Sequence, residues 1–179
     1  MLLSIKEMEV KPRTFDKTWQ PGEIDFSDSS TRQVGPLVAA GVAELVEHTG
    51  GQVRVQGSVT ADLEADCDRC LAPANFHVET EFDLFYQPVG DAITDDEVSV
   101  DESEVEIGFY ELPGLELEDI LREQILLQLP MQRVCKETCK GICLVCGGNR
   151  NETDCKCSTK SGDDRWQALQ SVHIETDTQ

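Results

Sequence analysis

The stretch "QVRVQGSVTADLEADCDRCL", residues 52–71, decides how the chain is read. Val53, Val55, Gly57, Val59, Ala61, Leu63 and Ala65 alternate with Arg54, Gln56, Ser58, Thr60, Asp62, Glu64 and Asp66. A period of two with one apolar face is the signature of a half-buried β-strand. The strand runs directly into Cys67-x2-Cys70. A sheet and a thiol pair therefore share one joint, and the remaining sequence extends each of them.

Upstream, Gly50-Gly51 marks a turn. The segment before it holds Val38, Val42, Leu45 and Val46, a spacing that also suits a helix. A hairpin explains the two glycines, so a strand is expected. "TFDKTWQPGEIDF" (14–26) reads as a short strand entering a Pro-Gly turn, and "DSSTRQ" (28–33) as a loop. Downstream, "NFHVETEFDLFYQP" (75–88) resumes the sheet, with Phe76, Val78, Phe82, Leu84 and Tyr86 at mostly even spacing. "VGDAITDDEVSVDESEVE" (89–106) reads as an acidic loop with a short edge strand. "LPGLELEDILREQILLQLP" (112–130) is the one main helix. Leu117, Ile120, Leu121, Ile125, Leu127 and Leu129 form its stripe, acids fill its first turn, and Pro130 ends it. "DDRWQALQSVHIE" (163–175) is amphipathic and expected to form a short helix. The fold class is α+β: a mainly antiparallel sheet, one main helix and a C-terminal cysteine-rich module. The expected division is a β-rich domain over 1–130 and a cysteine module with its terminal helix over 131–179, joined through shared metal ligands.

Among 179 residues the formal net charge is -20, which argues against nucleic-acid binding through the overall field. The charge is uneven. Residues 81–123 carry fifteen acids against Arg122, whereas 131–160 carry six basic residues against three acids. Two surfaces with different partners would produce such asymmetry. The N-terminal run is too short for a signal peptide, and no stretch reaches the length of a membrane span. A cytoplasmic protein is expected, in a compartment where thiols stay reduced and eight cysteines point to metal rather than disulfides.

Six of those cysteines lie in "VCKETCKGICLVCGGNRNETDCKC" (134–157). A C-x2-C turn sets two sulfurs about 3.5–4 Å apart and aimed at one point, as tetrahedral zinc requires. Eight thiols make two sites of four. One division joins Cys143, Cys146, Cys155 and Cys157 locally and leaves Cys67, Cys70, Cys135 and Cys139 for a second ion. A crossed division pairs Cys67 and Cys70 with Cys143 and Cys146, leaving Cys135, Cys139, Cys155 and Cys157. Loop closure favours the local set. All-sulfur sites suit zinc or iron–sulfur clusters, and the spacing lacks ferredoxin runs. Two zinc ions are expected. A redox dithiol at Cys67 and Cys70 is weakly supported, because no helix pattern opens after the pair. His48, His77 and His173 form no ligand-spaced pair, and His77 reads as a half-buried strand residue. A structural metal is therefore expected rather than a catalytic one. No catalytic motif is present.

Taken together, "CDRCL", "LLQLP", "CKETCKGICLVCGGNRN...CKC" and "DDRWQAL" resemble the YceD family, the large ribosomal RNA subunit accumulation proteins, over roughly residues 35–172. Cys67, Arg69, Cys70 and Leu71 match the family's C-x-R-C-L. Gly141, Ile142, Cys143, Cys146, Gly147, Asn149 and Asn151 match its second motif, where Leu144 replaces a proline and Arg150 a leucine. Asp163 and Arg165 match the closing motif, with Asp164 in place of proline. The ligand set is untouched by these departures. The resemblance implies a non-enzymatic, cytosolic factor for accumulation of large-subunit (23S) rRNA. One hypothesis has precursor rRNA meeting Arg133, Lys136, Lys140, Arg150 and Lys156. The alternative is an acidic module, residues 81–123, that binds or chaperones a basic ribosomal protein. A thiol oxidoreductase is the weakest reading.

Overall fold

A computed structural model describes residues 1–27, 30–89 and 107–157 of the chain. The expected terminal helix at 163–175 and nearly all of the acidic loop at 89–106 lie outside these residues.

The alternating stretch forms the longest shared ladder in the molecule. β5 (Val53–Asp66) pairs with β6 (Pro73–Pro88) along its whole length, from Val53 opposite Tyr86 to Asp66 opposite Pro73. β4 (Leu37–Leu45) pairs with the other edge of β5, and β2 (Arg13–Trp19) pairs with β4. All of these pairs are antiparallel. β7 (Ile107–Tyr110) joins the β6 edge in parallel, giving the order β2-β4-β5-β6-β7. The edge strand expected within 89–106 falls outside the described residues, and β7, just after that stretch, adds one parallel pair to a mainly antiparallel sheet.

Four elements escaped the sequence reading. Thr31–Gln33, expected to be loop, is a three-residue strand (β3) that pairs with β5 beyond the end of β4. Leu2–Ser4 (β1) pairs with Gly114–Glu116 (β8), so the first residues expected to be helical are a strand. Ile5–Met8 is a single-turn helix, α1. Strands this short leave no periodic trace, and each exists because a longer partner supplies its hydrogen bonds. The hairpin between β4 and β5 is also longer than Gly50-Gly51 suggests. Val46 N–H donates to Gln52 O at 2.8 Å, and His48 shares the left-handed conformation with both glycines.

The main helix, α2 (Leu117–Gln128), lies on the apolar face of the sheet. Leu117, Ile120, Leu121 and Ile125 are buried there with Val53, Val55, Val59, Leu63, Val78 and Phe82. Each fully buried aliphatic side chain contributes about 1.5–3 kcal/mol of hydrophobic stabilisation, so four on one helix hold it firmly. Leu127, expected on this stripe, is 67% exposed, and Leu126 takes the inward-leaning position instead. The start of the helix is pinned by Trp19, whose Nε1 donates to Glu118 Oε1 at 3.0 Å. Burial would raise the Glu118 carboxyl. Hydrogen bonds from the Met1 amino group and Trp19 outweigh that and hold it at about 2.

At the sheet centre Gly41 faces Gly57, and the Phe15 ring covers the gap. A Cβ on Gly41 would stand 2.6 Å from Phe15 Cζ and 2.2 Å from Gln56 O. Gly41→Ala should therefore lower stability by about 1–3 kcal/mol through overpacking, read as a fall in thermal midpoint with the sheet spectrum retained.

Candidate metal centres

The β5–β6 hairpin ends in the turn that carries Cys67 and Cys70. Cys67 N–H donates to Ala72 O, and Leu71 N–H donates back to Cys67 O, each at 2.9 Å. The second C-x2-C pair repeats this pattern. Cys143 N–H donates to Gly148 O, and Gly147 N–H to Cys143 O, each at 2.8 Å. The residue after each pair is left-handed: Leu71 at φ 61° and Gly147 at φ 71°. Two stretches more than seventy residues apart thus build the same knuckle. The turn exposes neighbouring backbone N–H groups toward the sulfurs, the arrangement that zinc-type knuckles use.

The chain returns to the first knuckle after α2. Asp68 N–H donates to Arg133 O at 2.7 Å, and Asp68 Oδ2 accepts from Arg133 N–H at 2.6 Å. Arg69 reaches across, its guanidinium donating to Cys139 O at 3.4 Å, to Glu137 O at 3.5 Å and to Gln132 Oε1 at 3.1 Å. Ile142 N–H donates to Arg69 O at 2.9 Å. These bonds bring residues 133–142 against the end of the sheet.

All eight cysteines are free. Their sulfurs gather in the local division: Cys67, Cys70, Cys135 and Cys139 in one group, Cys143, Cys146, Cys155 and Cys157 in the other. The crossed division does not occur. Within each group all sulfurs lie within 4.8 Å of one another. Cys67 and Cys139 are 3.9 Å apart, and Cys70 and Cys135 are 3.7 Å apart. Sulfurs bonded at about 2.3 Å to one tetrahedral ion sit about 3.8 Å apart, so both groups have the size of a tetrathiolate metal site.

The two groups differ in burial. In the first, Cys67, Cys70 and Cys139 are buried and pack with Ala74, Ala72, Phe76 and Val134. In the second only Cys143 is buried, while Cys146 and Cys157 are exposed. The electrostatics prepare both. Burial pushes the Cys67 thiol up, but the backbone N–H groups of Cys135, Arg69 and Cys70 outweigh it and bring the thiol to about 6. At Cys143 the N–H groups of Cys146 and Val145 do the same, again to about 6. Burial and neighbouring thiolates push Cys135 the other way, up to about 12. Four crowded thiols cannot all ionise by themselves, whereas a divalent cation among them supplies the charge that ionises all four.

The basic residues fare differently. Arg133 is committed: its Nε lies 3.9 Å from Asp68 Oδ1 and its guanidinium 3.4 Å from Thr31 Oγ1. Lys136, Lys140, Arg150 and Lys156 are exposed, and their side chains make no ion pair or hydrogen bond among the described residues. Elsewhere most cations are paired, as in Arg32 with Glu64 and Arg54 with Asp83 at 2.7 Å. His77, expected to be half-buried, is 60% exposed on the outer face, with Nδ1 2.7 Å from Asp62 Oδ1. Among the described residues no histidine joins a cysteine group. Sequence reasoning gave no role to Arg69, Asn149 or Asn151. The fixed spacing of "CDRC" and "GGNRN" was the signal that could have found them.

Comparison with known proteins follows the same lines. An uncharacterized protein of Mycobacterium tuberculosis is 31% identical over 142 residues, covering 74% of this chain and 62% of its own. The chain thus spans about three fifths of the length of this mycobacterial relative. The uncharacterized protein YlbN of Bacillus subtilis is 26% identical over 137 residues, covering 75% of this chain and 72% of its own. A chloroplastic protein of Zea mays, named Large ribosomal RNA subunit accumulation protein YCED homolog 1, is 30% identical over 144 residues, covering 62% of this chain and 46% of its own. No solved structure gives a significant match. Residues 55–172, from near the start of β5 through both cysteine groups, match the profile of one family, and the chain belongs to it: Large ribosomal RNA subunit accumulation protein YceD.

Proposed function

We propose that this chain is a non-enzymatic, cytoplasmic ribosome-biogenesis factor that supports accumulation of large-subunit (23S) rRNA, with two zinc ions holding its cysteine module in shape. The carrying observation is the pair of closed four-sulfur groups at the end of the sheet. Four thiolates around one ion leave no open position for water or substrate, which suits a structural zinc rather than a catalytic one. Membership of a family named for large-subunit rRNA accumulation supplies the biological direction.

In this reading the module presents Lys136, Lys140, Arg150 and Lys156 to phosphate, because these four cations have no carboxylate partner among the described residues. Arg133 holds the joint instead. Four phosphate contacts give a log–log salt slope of about -3.6 on duplex and about -2.8 on single-stranded RNA. Filter binding of precursor large-subunit rRNA to the zinc-loaded protein should return a slope in that range. Reversing the four charges to Glu should remove the binding. In cells, loss of the protein should lower large-subunit rRNA relative to small-subunit rRNA, and an unchanged ratio overturns the assignment.

One observation favours a second reading. Glu79, Glu81 and Asp83 line the outer face of β6, and across from them on β5 Arg54 is the basic residue. This face suits a basic ribosomal protein. If the protein fails to bind rRNA and retains a basic ribosomal protein in salt-sensitive fashion, the acidic face rather than the module is the working surface.

A further inference from the structure

Asn151 stands between the two cysteine groups. It belongs to the return from Cys146 to Cys155, so its position depends on the second group. Its side chain serves the first. Nδ2 donates to Cys139 Sγ at 3.3 Å and to Asn149 Oδ1 at 2.9 Å, while Oδ1 accepts from Lys140 N–H at 2.9 Å. Asn149 Oδ1 also accepts from Asn151 N–H at 3.0 Å, and Asn149 Nδ2 donates to Glu152 Oε1 at 2.9 Å. Both donors and the acceptor of the Asn151 amide are thereby used. The orientation is unambiguous, because a flipped amide would turn its oxygen toward sulfur and its nitrogen toward a backbone N–H.

No other side chain reproduces this pattern. Aspartate keeps the acceptor for Lys140 but loses both donors and adds a negative charge beside a thiolate. Glutamine is one methylene too long for a half-buried site. Alanine leaves the Lys140 N–H without its acceptor and takes from the Cys139 sulfur its side-chain amide donor. An N–H donor aimed at sulfur favours the thiolate that a metal ion requires.

We infer that Asn151 couples the two metal centres: closure of the exposed group 143/146/155/157 seats the amide that holds Cys139 as a ligand of the buried group 67/70/135/139. The inference rests on the two-zinc reading above. Coupling of this kind is reciprocal, so the buried ion also favours the exposed one. The exposed group, open to solvent at Cys146 and Cys157, becomes the point where metal is lost first, and its loss is transmitted to the joint between module and sheet.

The test is zinc release from the full-length, zinc-loaded protein to a chromophoric chelator. A Cys155→Ser/Cys157→Ser variant disables the exposed group. With Asn151 present, this should speed release from the buried group by about 10–100-fold, the range typical for loss of an outer partner of a metal ligand. In an Asn151→Ala background the acceleration should already be present, and the cysteine changes should add little. Asn151→Asp should behave as Asn151→Ala. With cobalt(II) as the probe metal, it should also shift the sulfur-to-metal charge-transfer band of the buried centre, which a merely looser loop would leave in place. An acceleration of equal size with and without Asn151 overturns the coupling, as does no acceleration in either. Protein that holds two ions with independent release rates overturns the coupling alone. Protein that binds no metal overturns the two-zinc reading beneath it.

Discussion

If the two cysteine groups hold zinc as proposed, removing the metal is expected to unfold residues 133–157 while leaving the sheet and α2 folded. Structural zinc on four thiolates is worth about 10–16 kcal/mol, as much as the whole stability of a typical domain. Residues 133–157 contain little else to hold them. Their hydrogen bonds are turns, one isolated bridge between Ile142 and Asn149, the side-chain bonds of Asn149 and Asn151, and a few bonds to the 67–70 turn, most of them at the surface. Leu144 and Val145 point outward, 88% and 59% exposed. The sheet is independent of this support, since Trp19, Leu37, Val53, Val55, Leu63, Leu121 and Ile125 form a continuous core without any cysteine. Hydrogen exchange should therefore separate the two parts on chelation. Amides of β5, β6 and α2 should remain protected, while those of 133–157 should exchange freely. Single ligand changes should grade the effect. Cys67→Ser removes a fully buried ligand at the end of β5 and should lower the thermal midpoint of the whole protein. Cys146→Ser removes an exposed one and should cost one zinc with a smaller loss of stability. A chelated protein whose module keeps its protection would refute the structural role of the metal.

The same separation explains what the sequence revealed. β5 was legible because seven consecutive odd positions are apolar or glycine, and all but Gly57 are buried. α2 was legible by its stripe, though its first residues and Leu127 were misplaced. A stripe records which residues are apolar; it does not record that Gly114–Glu116 will be claimed as a strand by Leu2–Ser4. β3 was invisible for the same reason. Thr31 and Gln33 are polar, yet both are buried, and Gln33 Nε2 serves Trp19 O at 3.0 Å and Gly35 O at 2.8 Å. The cysteine positions were fully legible, and their division followed from loop closure. The partners of the ligands were not. Arg69 and Asn151 act across 63–70 and 11–12 residues of chain respectively, and nothing periodic announces such contacts. Arg133 shows the same limit from the other side: a basic stretch does not announce that one of its cations lies beside Asp68 and Thr31.

Gly141→Ala is expected to loosen the joint between the two knuckles, and Gly147→Ala provides its internal control. Both glycines are left-handed at φ 71°. Each substitution therefore meets the same backbone strain, about 1–2 kcal/mol. Their surroundings differ. A Cβ at Gly147 meets nothing within 4 Å, whereas at Gly141 it would lie 3.0 Å from Arg69 O and 3.6 Å from Arg69 Cβ. Arg69 O cannot easily retreat, because it accepts from Ile142 N–H, the next residue along. Gly141 O in turn accepts from Arg150 N–H at 2.9 Å, so the peptide is held from both sides. Crowding in a packed site adds about 1–3 kcal/mol, which brings Gly141→Ala to a loss of about 2–5 kcal/mol. Thermal denaturation of the zinc-loaded proteins should place Gly141→Ala clearly below Gly147→Ala. The arginine side chain gives a second measurement. If the clash displaces the 67–70 turn, Arg69 loses Cys139 O and Gln132, and zinc release from the buried group should quicken. Gly147→Ala, which strains only the exposed knuckle, should quicken that rate much less. Equal losses in the two variants would mean that the close approach of Gly141 to Arg69 does not hold the knuckles together.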